Sequence, residues 1–215
     1  NGGFMPHRAM ALVNVKQILK NLDSLADFAV RYYENWLGAV PMVKSNAYGH
    51  GLVEVSKLLE NSRHTVALGV ATLGEGNLIR SFGCLKPIWV FSEGTPFSEM
   101  IARECVEYKL TPVIHSVEDL KTLLRMGDKN LNFHLKFNTG MNRLGIEIDQ
   151  VSEVRRLIKL YGGRPQGICS HFANAESADN KLTLNQIERF KFVLSELASF
   201  GAPYIHFANT AAVIN

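Results

Sequence analysis

Residues 40–51, VPMVKSNAYGHG, carry the strongest fold signal in the sequence. Their apolar first half predicts a β-strand, and Lys44 follows it directly, ahead of a glycine-containing turn. In barrels of parallel strands, catalytic side chains stand at the carboxyl ends of the strands. A lysine that is partly shielded from water there keeps more of its amine neutral and able to attack an aldehyde. Tyr48 and the two glycines beside it offer a phenol and an accessible backbone, which suit a phosphate.

Short apolar runs alternate with amphipathic helical stretches along the rest of the chain. The first helix is expected to begin at Asn14, in a capping box with Gln17, and to end at Gly38. Ser116 and Asp119 together look like the N-terminal cap of a later helix. The predicted strands are 39–43, 66–71, 87–91, 111–115, 132–138, 166–171 and 203–208, and the later predicted helices are 52–61, 74–82, 97–109, 117–126, 150–161 and 185–200.

This alternation is typical of a parallel sheet covered by helices. We expect one α/β domain over residues 1–215, a (β/α)8 TIM-type barrel of which about seven β/α units are visible. An open, doubly wound sheet is the alternative architecture. A barrel with seven strands leaves two unpaired edges, so we expect a further segment or a partner to cover them.

Composition narrows the class of protein. The net charge of +3 comes from scattered lysines and arginines, so it gives no case for nucleic-acid binding. No stretch approaches the roughly 18 apolar residues of a membrane span, and residues 1–10 lack the apolar run of a secretory leader. Three widely spaced cysteines suit reduced thiols better than disulfides. We therefore expect a cytoplasmic protein.

Polar residues follow three later strands as well. Arg143 lies in HLKFNTGMNRLGI, residues 134–146, where its planar guanidinium suits a carboxylate or a phenolate oxygen, unless it is an ordinary surface arginine. His171 can stack on an aromatic cofactor, or it is a satisfied histidine at a strand end. Asn209 and Thr210 stand at an expected helix start, where a hydroxyl and free N–H groups suit a phosphate or form a plain N-cap.

The stretches VKSNAYGHG, HLKFNTGMNRLGI, CSHFANAES and IHFANTAAV resemble, in order, four motifs of the alanine racemases. The first resembles their attachment motif for pyridoxal 5'-phosphate (PLP). The resemblance implies a PLP-binding barrel in which Lys44 forms a Schiff base with PLP and Tyr48 holds its phosphate. It places Arg143 near the cofactor's phenolic oxygen and the substrate carboxylate, with Lys136 orienting it. The cofactor contacts that it implies are Lys44, Tyr48, His171, Asn209 and Thr210.

The resemblance further implies interconversion of L-alanine and D-alanine, with D-alanine serving peptidoglycan synthesis, in a homodimer. Lys44 would be one catalytic base, and Arg143 would act in catalysis and in substrate binding. The family takes the second base from a C-terminal β domain of the neighbouring subunit and an arginine from the eighth strand, and neither is assigned here. We therefore expect the C-terminal β domain to be absent from this chain and the chain to be inactive alone.

Three residues depart from the family pattern: Ser45 replaces a common alanine, Asn138 a frequent aspartate and Thr210 a more usual serine. The change at Asn138 puts in doubt any salt bridge that the aspartate makes.

Other functions stay open on the sequence alone. A non-catalytic PLP-binding protein fits the same motifs, and so does a racemase for serine or for several amino acids. A metal-dependent barrel hydrolase is a third reading, because His134, His171 and His206 all lie on predicted strands. No clear carboxylate accompanies these histidines, so we expect no metal site.

Overall fold

The computed structural model describes residues 12–93, 96–128, 130–177 and 179–215. The helices are α1 (Val15–Tyr32), α2 (Lys44–Tyr48), α3 (Leu52–Glu60), α4 (Leu73–Ser81), α5 (Glu99–Glu107), α6 (Val117–Met126), α7 (Val151–Tyr161), α8 (Lys181–Leu197) and α9 (Thr210–Ile214). The strands are β1 (Leu68–Val70), β2 (Ile88–Val90), β3 (Leu110–Ile114), β4 (His134–Asn138), β5 (Ile146–Glu147), β6 (Gly167–Cys169) and β7 (Tyr204–His206). Residues 1–10, on which the expectation about a leader rests, lie outside the described part.

All strand pairs in the sheet are parallel, in the order β1-β2-β3-β4-β6-β7, with the short β5 paired to β4 off this path. The expected first strand at 39–43 is present only as two parallel bridges, from Ala39 to Thr65 and from Met42 to Gly69. The bridges place this segment beside β1, so it occupies the position of a first strand. The prediction of alternating parallel β/α units is confirmed.

The sheet curls into a partial barrel. Trp89 on β2 lies with its ring 5.3 Å from that of Tyr204 and 4.9 Å from that of His206, both on β7. These strands are four positions apart, and in a flat sheet they would be separated by about 19 Å at a spacing of about 4.8 Å per strand. Ring contact across that distance requires the sheet to bend round. The prediction of a barrel in preference to an open sheet is confirmed.

Side chains alternate between the inside of the barrel and the helix-covered outside. The outer face contributes Leu68, Ile88, Ile114, Leu135 and Ile168, all buried in the main hydrophobic core with residues of the surrounding helices. The inner face carries the aromatic and polar residues instead. Because of this alternation, polar side chains that could take part in chemistry point to the inside of the barrel.

Local signals predict two helix starts correctly. The Asn14 side chain accepts a hydrogen bond from Gln17 N at 3.1 Å, and the Ser116 hydroxyl accepts one from Asp119 N at 3.0 Å. The capping box at Asn14 is only half formed, because the Gln17 side chain donates to Asn21 instead. The predicted end at Gly38 is wrong, since α1 stops at Tyr32.

The far end of the chain packs back on α1. The Tyr33 hydroxyl donates to the Val213 carbonyl at 3.0 Å, and α1 contacts α9. At the sheet edge formed by β7, the side chain of Ile205 is half exposed. Among the described helices, none combines the length and apolar character needed to cross a membrane.

Gly167 tests the tightness of the inner face. A Cβ atom at this position would stand 2.6 Å from Nδ1 of His134. We expect Gly167→Ala to destabilise the protein by about 2 kcal/mol because of this overpacking. The melting temperature should fall by roughly 4–8 °C, measured by thermal denaturation.

The matched control is Gly74→Ala in α4, where a Cβ atom would meet only Thr72 Oγ1 at 4.0 Å. It should leave the stability unchanged or slightly higher, because alanine is the better helix former. Equal melting temperatures for the two variants would contradict the tight inner packing.

Candidate active site

Lys44 stands at the end of the bridge segment and begins a left-handed turn. Ser45, Asn46, Ala47 and Tyr48 have φ values of 54°, 57°, 51° and 55°, so α2 is left-handed from Ser45 onward. None of these residues is glycine, and each costs on the order of 1–2 kcal/mol in this conformation. Such strain persists only where the surrounding structure holds it, and it concentrates at functional sites.

Lys44 shares the barrel mouth with three further basic side chains. Burial lowers the pKa of Lys136 on β4, and the charges of Arg143 and Lys44 lower it further. Burial also lowers the pKa of His171, and the next contributions come from Lys136, Arg143 and Lys44. Lys44, Arg143 and His171 follow parallel strands and Lys136 lies on one of them, so the four groups, here called the basic cluster (Lys44, Lys136, Arg143 and His171), stand at the same mouth of the barrel.

Asn138 organises the loop that carries Arg143. Its side-chain oxygen accepts hydrogen bonds from Gly140 N at 3.1 Å and Asn142 N at 3.0 Å. Its amide group donates to Glu147 Oε1 at 2.7 Å. An aspartate in this place would put two carboxylates against each other, which is unfavourable. Asparagine in place of the family's aspartate at position 138 therefore avoids repulsion with Glu147 and donates a hydrogen bond to it.

A buried hydrogen-bond network fixes the segment around His171, and the sequence reading missed it. Gln186 on α8, which is completely buried, donates to Thr139 Oγ1 at 3.1 Å and to the His171 carbonyl at 3.0 Å. Its side-chain oxygen accepts from Ala173 N at 3.0 Å. The Thr139 hydroxyl lies 2.7 Å from that of Ser170. The network joins the loops after β4 and β6 to one helix.

The expected phosphate-binding residues lie at two places: Tyr48 in the turn that Lys44 begins, and Asn209 and Thr210 after β7. Tyr48 is 60% exposed at the end of the left-handed turn. Asn209 is the N-cap of α9, and its side-chain oxygen accepts from Ala212 N at 2.9 Å. Thr210 is the first helical residue rather than the cap, and it is exposed. Since β6 and β7 are neighbours, Asn209 and Thr210 follow the strand next to the one that leads to His171.

The remaining histidines of the inner face form a packed layer below the basic cluster. His134 Nδ1 lies 2.9 Å from His206 Nε2, and the Trp89 ring covers both. Burial lowers the pKa of His206 to about 3. Among the described residues, no group of three His, Cys, Asp or Glu side chains is placed to hold a metal ion. The hydrolase reading therefore gains no support from these histidines.

His115 is a second residue that the sequence reading missed. It follows β3 and is 5% exposed, and within the described ranges neither ring nitrogen meets the distance and angle of a hydrogen bond. Burial lowers its pKa to about 4, and the charge of Lys136 adds to the effect. His115 is therefore held neutral beside the basic cluster.

A cavity of about 670 Å³ lies at the opposite end of the barrel. Leu131, Phe133, Arg164, Gln166 and Pro203 line it, and all five precede strands. Catalytic groups in barrels follow strands. This cavity is therefore distinct from the candidate site.

The comparisons with known proteins agree on one family. Residues 13–215 match the family described as "Alanine racemase, N-terminal domain". The chain is 36% identical over 211 residues to the alanine racemase of Carboxydothermus hydrogenoformans, covering 95% of this chain and 54% of that protein. It is 32% identical over 207 residues to the alanine racemase of Aquifex pyrophilus, covering 96% and 53%. The chain thus spans about half the length of the curated relatives it matches.

Solved structures show the same likeness. The chain superimposes on alanine racemase of Clostridium difficile 630 with a TM-score of 0.78 and 28% identity, covering 92% of this chain and 52% of that one. For alanine racemase from E. faecalis the TM-score is 0.80, with 26% identity and coverage of 94% and 53%.

Gln186→Leu should destabilise the protein, because it leaves Thr139, the His171 carbonyl and Ala173 N without their buried partner. We expect a loss of about 2–4 kcal/mol in the free energy of unfolding, measured by urea denaturation. Glu188→Gln, at an exposed position on the same helix, should change stability by less than about 0.5 kcal/mol. Similar losses for both variants would contradict the role of the network.

His115 should make stability depend on pH. Its folded pKa of about 4 lies below the ordinary value of 6.5, so between these pH values the unfolded chain binds the proton more readily. The contribution of neutral His115 to the free energy of unfolding should be fully present above pH 6.5. It should be lost as the pH drops towards 4, by about 1.4 kcal/mol per pH unit.

The comparison variant is His115→Leu, which lacks the titrating ring. Urea denaturation at several pH values should show a shallower loss of stability for this variant than for the wild type. Parallel curves would mean that His115 is not held neutral in the folded protein.

Proposed function

This chain belongs to the alanine racemase family, through its N-terminal domain, and we propose that it is the PLP-binding part of a racemase that interconverts L-alanine and D-alanine. Residues 1–215 would form the cofactor-binding barrel domain, and the family's C-terminal β domain would lie outside them.

The observation that carries the proposal is the basic cluster. Lys44 follows the bridge segment at 39–43, Lys136 lies on β4 with Arg143 in the loop after it, and His171 follows β6, so three strands bring the four groups to one mouth of the barrel. Their mutual repulsion, together with burial, is unfavourable until an anion enters. PLP has a phosphate and a phenolate oxygen, and an amino acid has a carboxylate. A cofactor and substrate of this charge therefore fit the residues present.

PLP, when bound, acts as an electron sink that stabilises negative charge at the α-carbon of an amino acid. The Lys44 amine would hold the cofactor covalently and move a proton at the substrate α-carbon. Arg143 would bind the substrate carboxylate and the phenolic oxygen through its paired N–H groups, oriented by Lys136. His171 would lie against the cofactor ring.

The phosphate would be held between the turn of Lys44 and the segment after β7. The exposed hydroxyls of Tyr48 and Thr210 are available as donors, while the Asn209 oxygen is already engaged with Ala212 N. Asn209 would thus act by ordering the start of α9, with its amide group left to donate. This assigns the cofactor contacts Lys44, Tyr48, His171, Asn209 and Thr210.

The proposal extends to the longer protein. Racemisation requires a second proton-transfer group on the opposite face of the substrate, which we place in the C-terminal β domain of the partner subunit of a homodimer. The product D-alanine would serve peptidoglycan synthesis. A cytoplasmic location agrees with the three buried cysteines, Cys84, Cys105 and Cys169, which are all free thiols.

Lys44→Ala tests the covalent attachment. The wild-type chain mixed with PLP should develop the absorbance band of lysine-bound cofactor, and borohydride reduction followed by peptide mapping should place the label on Lys44. The variant should show neither, because it lacks the amine. In the longer protein the same change should abolish the interconversion of L-alanine and D-alanine.

Two controls separate the possible causes. Lys44→Arg keeps the positive charge but cannot form the covalent bond, so it should also lose the band. Lys20→Ala, at an exposed position on α1, should retain it. An unchanged band in Lys44→Ala would refute the assignment. A band that depends on Lys44 in a longer protein without racemisation would indicate a non-catalytic PLP-binding protein.

A further inference from the structure

We infer that Glu75 is a positioning residue for Lys44, which it orients by pinning the left-handed turn of α2. This inference rests on the proposed function of Lys44. Glu75 belongs to α4, thirty residues further along the chain. Its carboxylate joins the turn to the neighbouring strand end.

The anchor acts on the peptide group next to Lys44. Ser45 N donates to Glu75 Oε1 at 2.6 Å. This N–H belongs to the planar peptide unit between Lys44 and Ser45, so holding it fixes the backbone rotation on the carbonyl side of the Lys44 Cα atom. The direction in which the Lys44 side chain leaves the backbone depends on that rotation.

The turn needs such an anchor because its conformation is unfavourable. Four successive non-glycine residues, from Ser45 to Tyr48, are left-handed. Within the turn, Ala47 N donates to the Val43 carbonyl at 2.7 Å, and the Asn46 side chain accepts from Leu52 N at 2.8 Å. Both partners are close in sequence. Among the hydrogen bonds of the described residues, the bond to Glu75 is the one that ties residues 45–48 to an element distant in the chain.

Glu75 is itself held rigidly. Its other carboxylate oxygen, Oε2, accepts from Ala71 N at 2.8 Å and from Thr72 N at 3.3 Å. Thr72 and Glu75 form a reciprocal capping box at the start of α4, where the helix dipole favours a negative charge. Hydrogen bonds from N–H groups to a carboxylate are among the stronger ones in proteins. One carboxylate thus links the end of β1 to the peptide group of Lys44.

Glu75→Gln tests this role, because an amide has one acceptor oxygen and cannot serve both Ser45 N and Ala71 N. The matched control is Thr72→Ala, which removes the hydroxyl that accepts from Glu75 N at 3.2 Å and weakens the same helix cap. The control leaves the carboxylate on Ser45 N in place. Any difference between the two variants therefore reports the anchor rather than the stability of α4.

Two measurements on the 215-residue chain are needed. Hydrogen-exchange mass spectrometry should show faster exchange at Ser45 N in Glu75→Gln, by about tenfold, and a change of less than about twofold in Thr72→Ala. Titration with PLP, followed by the absorbance of lysine-bound cofactor, should show a dissociation constant roughly tenfold higher for Glu75→Gln only. A tenfold change corresponds to about 1.4 kcal/mol.

The outcomes separate the two ideas. Equal exchange at Ser45 N in both variants would overturn the inference, whatever the cofactor does. Faster exchange in Glu75→Gln with an unchanged dissociation constant would also overturn it, because the anchor would then not orient Lys44. A wild-type chain that forms no band with PLP would refute the proposed function, while the exchange data would still decide whether Glu75 holds the turn.

Discussion

The packing of Trp89 against Tyr204 and His206 is the contact on which the rest of the structure depends. It joins strands that are four positions apart, so it bends the sheet until the strand ends face one another. Without that bend, Lys44 and His171 would stand at distant points of a flat edge. The same inner packing therefore brings the charged groups together, where like charges repel.

Hydrogen bonds at the mouth of the barrel hold the backbone around the basic cluster in place. Lys136 is buried near two other cations, and His171 is partly buried near three. Side chains under such repulsion would move apart if their backbones were free. Gln186 fixes the backbone at His171, while Asn138 fixes the loop of Arg143. The structure thus maintains an arrangement that becomes favourable when an anionic ligand enters.

The sequence could predict the features that depend on nearby residues. Asn14 and Ser116 cap helices through residues three positions away, and Lys44 and His171 stand after apolar runs that the periodicity reveals. The predicted end of α1 is wrong because the helix already stops at Tyr32. Gly38, with a φ of 140°, lies in the connecting segment that follows. The strand at 39–43 was overestimated because it pairs with its neighbour at only two points.

The left-handed turn lay beyond prediction for a different reason. Local preference argues against it, since residues 45–48 contain no glycine and each favours a right-handed or extended backbone. The turn is held by a hydrogen bond to the carboxylate of Glu75, thirty residues away, and a single sequence gives no sign of that pairing. The same holds for Gln186, which resembles any polar residue of an amphipathic helix until the fold brings it to the His171 carbonyl. A sequence therefore shows the residues that carry chemistry more readily than the residues that hold them in place.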